Sequence, residues 1–139
     1  MKRVKVGGVC IYDNKILLMH RINLEKVVGE QEYYVIPDGG VEENETVEQA
    51  VVRELDEETS IVVSVKELIL HKEEIGKDEY YYMCKYVSGE PKLREDTNEF
   101  EEMKQGVHFY KPMWLALSEI NNVTIYPLEV KDILVEKYL

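Results

Sequence analysis

The sequence predicts a mixed α+β sandwich. Short β-rich runs recur along the chain, one amphipathic stretch over residues 47–59 lies among them, and a proline-led amphipathic stretch closes it. The 139 residues suit one domain over 1–139. A globule of that size buries roughly 68% of its unfolded surface, enough to hold a core without disulfide or structural metal.

Val4 to Tyr12 alternates through Val4, Val6, Gly8, Cys10 and Tyr12 and reads as a strand, with Gly7-Gly8 as an interruption. Asp13-Asn14-Lys15 is a turn and Ile16–Met19 a second strand, so a hairpin opens the domain. Residues 21–32 are polar and read as loop. Tyr33–Ile36 is a short strand stopped by Pro37. Asp38–Glu45, with two glycines and four acids, reads as loop. Thr46 caps the following helix, with Gln49 completing a capping box, and the helix runs from about Val47 to Thr59. Residues 61–70 are β-rich, Gly76-Lys77-Asp78 is a turn, and Tyr80–Val87 is another strand. Ser88-Gly89-Glu90-Pro91 is a strong turn signal. Residues 94–106 are acidic and irregular, and Val107–Leu117 is strand-like but interrupted by Pro112. Ser118-Glu119-Ile120 begins a short helical turn. Pro127 fits the first turn of a last helix carrying Leu128, Ile133, Leu134 and Tyr138.

Charge narrows the function. Seventeen Lys and Arg face 28 Asp and Glu, a net −11. Such a chain repels duplex nucleic acid, whose binding rests on neutralising phosphates. An acidic protein that handles phosphates needs cations to reverse the local sign. No apolar run approaches a membrane span of ~18 residues. The basic residues Lys2, Arg3 and Lys5 lack the apolar stretch of a signal peptide behind them. Cys10 and Cys84 sit in apolar runs and read as buried free thiols of a reducing, cytoplasmic compartment. His20, His71 and His108 show no ligand spacing.

The central helix carries the chemistry. On a wheel with Val47 at zero, Ala50, Val51 and Leu55 define an inward stripe, and Glu54 at about 340° and Glu58 at about 20° fall inside it. Glu57 lies on its edge, while Gln49, Arg53 and Asp56 point away. Carboxylates at i, i+3 and i+4 near a core-facing stripe repel one another and ask for a counter-charge. Hard oxygen ligands select Mg²⁺, Mn²⁺ or Ca²⁺ over zinc. On spacing alone, a solvated acidic face is the plain alternative.

Gly39, Glu45, Arg53-Glu54-Leu55, Glu57-Glu58 and Ile61 closely resemble the Nudix box, matching eight of its nine specified positions over 23 residues. Pro37, the run Trp114–Ile120 and Pro127 resemble its usual surroundings. The resemblance implies a Nudix-type α/β/α sandwich with a mixed sheet, a loop–helix–loop catalytic motif and a C-terminal helix. It implies Mg²⁺-dependent hydrolysis (Mn²⁺ as substitute) of a small-molecule nucleoside diphosphate linked to another group. Carried over by position, Glu54, Glu57 and Glu58 are metal ligands, and Arg53 pairs with Glu45 to orient the helix. Asp38 stands in place of the first glycine of the box's Gly-Gly pair, now shifted to Gly39-Gly40. The resemblance implies a further metal donor there, the Asp38 carbonyl or its side chain.

Arg21, Gly39 and Gly40 are expected at the substrate. The resemblance implies a general base that is either Glu54 or one of Glu99, Glu101 and Glu102, without choosing between them. Ser60 occupies the box's second glycine position; a left-handed serine costs about 1–2 kcal/mol there unless the helix exits differently. A nucleotide-binding or regulatory domain that does not cleave is the rival reading, but such members typically lose box glutamates that are intact here. Tyr33, Tyr34, Tyr80, Tyr81, Tyr82 and Tyr110 serve packing or base stacking. The sequence leaves open both the linked group and whether the chain forms a homodimer.

Overall fold

Strand β1 (Arg3–Tyr12) is the axis of the molecule. The computed structural model describes residues 2–25, 29, 31–94 and 98–139, with side chains in the last stretch described from residue 100. Positive φ at Asp13 (51°) and Asn14 (59°) makes the two-residue turn into β2 (Lys15–Asn23), as a tight hairpin requires. Strands β3 (Glu32–Val35) and β4 (Asp38–Gly40) precede helix α1 (Val47–Thr59). A long hairpin of β5 (Val62–Glu74) and β6 (Lys77–Ser88) comes next. Then follow α2 (Asn98–Met103), β7 (His108–Ala116), a 3-10 turn (Leu117–Asn122), β8 (Ile125–Tyr126) and α3 (Leu128–Tyr138).

The strands run β5-β6-β1-β2-β3-β8, with β4 also on β1 and β7 also on β2. The sheet is mixed: β1 and β6 are parallel, as are β3 and β8, and the other pairs are antiparallel. Alternation along β1 and β2 separates two cores. Val6, Cys10 and Leu17 meet Ala50, Val51 and Leu55 of α1. Val9, Ile16 and Leu18 meet Ile120, Val130 and Leu134 on the α3 side. This is the expected α+β sandwich. Both sheet faces are covered, so Val6–Cys10 is buried throughout rather than on alternate residues.

Several elements differ from the sequence reading. Gly7 and Gly8 do not interrupt β1. A Cβ on Gly8 would stand 2.8 Å from Leu55 Cδ1, and one on Gly7 2.5 Å from the Tyr81 ring, so the glycines let a helix and an aromatic ring close on the strand. Polar residues 21–23 continue β2, because its pairing with β7 extends to Asn23 opposite His108. Residues 38–40 are strand, not loop. β5 runs on to Glu74 despite its charges, since an edge strand tolerates them. Residues 98–103 are helical. Pro112 sits inside β7, opposite Met19; among the described residues β7 pairs with β2 alone, so a missing N–H is tolerated there. Pro127 caps α3 rather than lying in its first turn. Cys10 and Cys84 are free thiols at paired positions of β1 and β6, and burial pushes both up to about 12. Among the described residues no helix is long and apolar enough to cross a membrane.

Candidate functional site

Helix α1 starts on a closed capping box. Thr46 Oγ1 accepts from the Gln49 backbone N–H (3.1 Å), and the Thr46 N–H donates to Gln49 Oε1 (2.9 Å). Ala50, Val51 and Leu55 seat the helix on the sheet, which fixes where its carboxylates point. Glu58 lies on the buried side at 8% exposure, Glu54 is nearly buried, and Glu57 stands at the rim with 40% of its side chain exposed. Glu54 is pressed against β4: a Cβ on Gly39 would lie 2.0 Å from its carboxyl carbon and 2.2–2.3 Å from its oxygens.

Arg53 is the hub that holds this group. Its Nε and Nη2 donate to the two Glu45 oxygens at 2.7 and 2.9 Å, a fork that only a planar guanidinium makes. Nη1 donates to Glu54 at 2.8 Å and Glu57 at 3.2 Å, and Nη2 also donates to the Gly40 carbonyl at 2.7 Å. One cation thus serves the box loop and two box acids. The Arg53 hydrogen bond pulls Glu45 below the usual carboxylate range. Burial pushes Glu54 up; Arg53 opposes that, while Glu57 and Asp38 reinforce it. Glu54, Glu57 and Glu58 stand at i, i+3 and i+4 on α1 and are hard oxygen donors of the kind that binds divalent cations. Arg53, however, occupies oxygens of Glu54 and Glu57, and among the described residues the three do not form a group with ligand atoms within 4.8 Å of one another.

The helix ends as the serine substitution demands. Ser60 is left-handed at φ 65°, ψ 18°, with its N–H on Asp56 O and its hydroxyl donating to Lys92 O at 2.7 Å. That hydroxyl bond offsets part of the conformational cost, and the exit keeps a glycine-like geometry.

Other expected site residues are distributed unevenly. Gly39 and Gly40 are at the site. The Asp38 side chain is not grouped with the α1 acids: it pairs with Lys5 Nζ at 3.1 Å, and burial pushes its carboxyl up. Arg21, on β2, stacks its guanidinium 5.1 Å from the Tyr110 ring centre, and its buried Nε finds no acceptor among the described residues. The Tyr110 hydroxyl donates to Glu102, which ties the acidic stretch to Arg21. Glu101 faces outward with Lys104 at 3.2 Å. The side chain of Glu99 lies outside the described residues. The tyrosines mostly pack: Tyr81 is buried, Tyr80 stacks on His71, Tyr34 on His20, Tyr33 meets Tyr126 edge-on, and Tyr82 donates to Glu48.

Sequence reasoning missed a set of cations beside the Gly39-Gly40 loop. Lys5, Lys72 and Lys77 surround the buried Glu79 at 3.8, 3.9 and 3.6 Å. A cleft of about 370 Å³ opens there, with Lys5, Asp38 and Glu79 in its polar lining and Val35, Tyr126 and Leu128 in its apolar lining. The available signal was parity: Arg3 and Lys5 share one face of a strand that is otherwise apolar. Elsewhere, on the β5–β6 hairpin, His71, Glu73 and Asp78 bring ligand atoms within 4.8 Å of one another, but Lys2 already sits 3.3 Å from Asp78.

The NUDIX domain model matches residues 1–131. An ADP-ribose pyrophosphatase of Methanocaldococcus jannaschii is 36% identical over 104 aligned residues, covering 70% of this chain and 59% of that protein. The chain therefore spans less than two thirds of that relative. Among solved structures, a MutT from a study of the Aliivibrio salmonicida and Vibrio cholerae proteins superposes with TM-score 0.73 at 21% identity, covering 99% of this chain and 100% of that one. A MutT NUDIX hydrolase of Burkholderia pseudomallei gives 0.62 at 25% identity over 100% and 99% of the two chains.

Proposed function

The chain belongs to the NUDIX domain family, and from that premise we propose that it is a pyrophosphohydrolase. Its substrate is a nucleoside diphosphate joined to another group, and its cofactor is Mg²⁺, with Mn²⁺ as substitute. The observation that carries this reading is the Arg53 hub. One guanidinium fixes Glu45, Glu54, Glu57 and the Gly40 carbonyl, so the acidic face of α1 is held in place rather than merely solvated.

Glu54, Glu57 and Glu58 are the residues that would hold divalent cations. Bound there, such cations neutralise the diphosphate and lower the pKa of an attacking water. The remaining roles fall to the chain itself. Arg53 orients Glu54 and Glu57 from behind. The Asp38 carboxylate, turned to Lys5, assists through charge, which leaves its backbone carbonyl as the donor on β4. The unpartnered Arg21 Nε suits a phosphate oxygen, and the tyrosine beneath keeps that guanidinium flat. The cleft beside Lys5 takes the organic end of the substrate, with Tyr126 and Leu128 as its apolar floor. Attack is in line with the leaving oxygen. The proton goes to Glu54, whose burial raises its proton affinity, or to Glu102, which Tyr110 links to Arg21. The two free thiols suit a reducing, cytoplasmic setting.

The M. jannaschii relative places ADP-ribose first among substrates to try. The test is a nucleotide panel with Mg²⁺, phosphate and pyrophosphate release being read separately. Turnover that vanishes with chelator and in Glu58→Gln supports the reading. Unchanged turnover in Glu58→Gln overturns the ligand assignment, and Glu102→Gln against Glu54→Gln separates the two bases.

A further inference from the structure

We propose that the cavity bounded by Arg3, Lys5, Lys77 and the Gly39-Gly40 backbone is a phosphate-binding subsite. The strand registers assemble it. Arg3 and Lys5 lie two apart on β1 and share a face; parallel pairing sets Lys77 beside Arg3, and antiparallel pairing sets Gly40 beside Lys5. The resulting cavity of about 250 Å³ is completed by Val4, and among the described residues no carboxylate lines it. In a chain of net charge −11, a cavity with three cationic residues in its lining stands out, although Lys5 and Lys77 also face Glu79 in the neighbouring cleft.

Their donors are only partly used. Glu79, buried beneath them, sits 3.8 Å from Lys5 Nζ and 3.6 Å from Lys77 Nζ, which attracts both ammoniums without a full hydrogen bond to either. Asp38 takes one Lys5 donor. Among the described residues no carboxylate lies within ion-pair distance of Arg3. A Cβ on Gly40 would approach nothing nearer than the Val4 carbonyl at 4.0 Å, so an anion reaches this backbone unhindered. A compact oxyanion with several acceptors suits a cavity lined by three cationic residues on one face of the sheet. The volume falls short of the roughly 300–1,000 Å³ typical of pockets for larger ligands.

Gly39 touches Glu54 on the opposite face of β4, so the subsite lies one strand away from the α1 acids. Its assignment to a substrate's phosphate beyond the scissile bond rests on the hydrolase reading; the binding of phosphate itself does not.

The test begins with calorimetric titration of inorganic phosphate at low salt without Mg²⁺. It compares the intact chain, Arg3→Gln/Lys77→Gln, and a charge-matched control, Lys66→Gln/Lys85→Gln, whose residues lie outside this cavity. Phosphate should bind about tenfold or more weakly to the first variant and within about twofold of the intact chain in the control. Arg3→Lys/Lys77→Arg should restore binding. Absence of phosphate binding in the intact chain, or equal weakening in both Gln variants, overturns the proposal. Kinetics then identify the source. A KM rise for nucleoside triphosphates but not for diphosphate-linked substrates places the substrate's own phosphate in the subsite. Unchanged KM with lost inhibition by phosphate places the free ion there. If no nucleotide is cleaved but phosphate binding still separates the variants, the hydrolase reading fails and the subsite stands.

Discussion

Gly39→Ala isolates the placement of a single carboxylate. Gly39 does not have positive φ, so alanine's backbone preferences are not offended. The added Cβ would stand 2.0 Å from the Glu54 carboxyl carbon, where ordinary contact begins at 3.4 Å. The carboxylate must therefore move by about 1.4 Å. It is the end of a flexible side chain, so the fold absorbs the change, whereas a catalytic constellation does not. A displacement near 1 Å costs on the order of 100-fold in rate. The expected outcome is a melting temperature within a few degrees of the parent, weakened Mn²⁺ binding by calorimetry, and turnover down by about 100-fold. Full metal-dependent turnover in the Gly39→Ala variant would refute the claim that the Glu54 position matters. So would an activity loss explained wholly by destabilisation on the scale of an overpacked core, about 1–3 kcal/mol.

Arg53→Lys keeps the charge and loses the fork to Glu45, so metal affinity should fall by about 10- to 100-fold, read by calorimetry. Parent-like affinity would mean charge alone suffices. Ser60→Gly should change stability by under about 1 kcal/mol, because relief of the left-handed strain is set against the lost Lys92 hydrogen bond. Ser60→Ala keeps the strain and loses the bond, so it should melt lower than both; an unchanged melt would show the hydroxyl is idle. The pH dependence has two opposed parts. Glu45 lies below its unfolded value, so its contribution is full above that value and is lost as pH falls through the lower folded one. Metal-free Glu54 lies above its unfolded value, so its contribution is full below that value and fades as pH rises through the folded one. Glu45→Gln should therefore flatten the acid limb of a melting-temperature profile, and Glu54→Gln the limb above it.

The sequence made the helix and its acids legible because their spacing is a local property. A period near 3.6 put Glu54 and Glu58 in the buried stripe and Glu57 at its edge, and the capping box marked the start at Thr46. What escaped was set by partners far along the chain. β2 continues through polar residues because β7 lies beside it, and Asp38 belongs to a strand because β1 does. The function of Gly7 and Gly8 is visible only once α1 and Tyr81 are in place. Arg3, Lys5 and Lys77 converge through a parallel pairing of β1 with β6, about 70 residues away in sequence, which no window of pattern could contain.

Asp38 shows why the same loop can serve two chemistries. Successive residues of a strand point to opposite faces, so β4 sends Asp38 toward Lys5 and lets Gly39 abut Glu54. A side chain at position 39 would intrude on the α1 acids, whereas one at position 38 does not. That asymmetry accounts for an acid in place of the first glycine of the usual pair, just ahead of the box: the substitution falls on the cation-bearing face, where Lys5 meets it. It also separates the charges. Acids gather on the α1 face under one guanidinium, while lysines gather around Glu79 on the other, with the glycines of β4 between them.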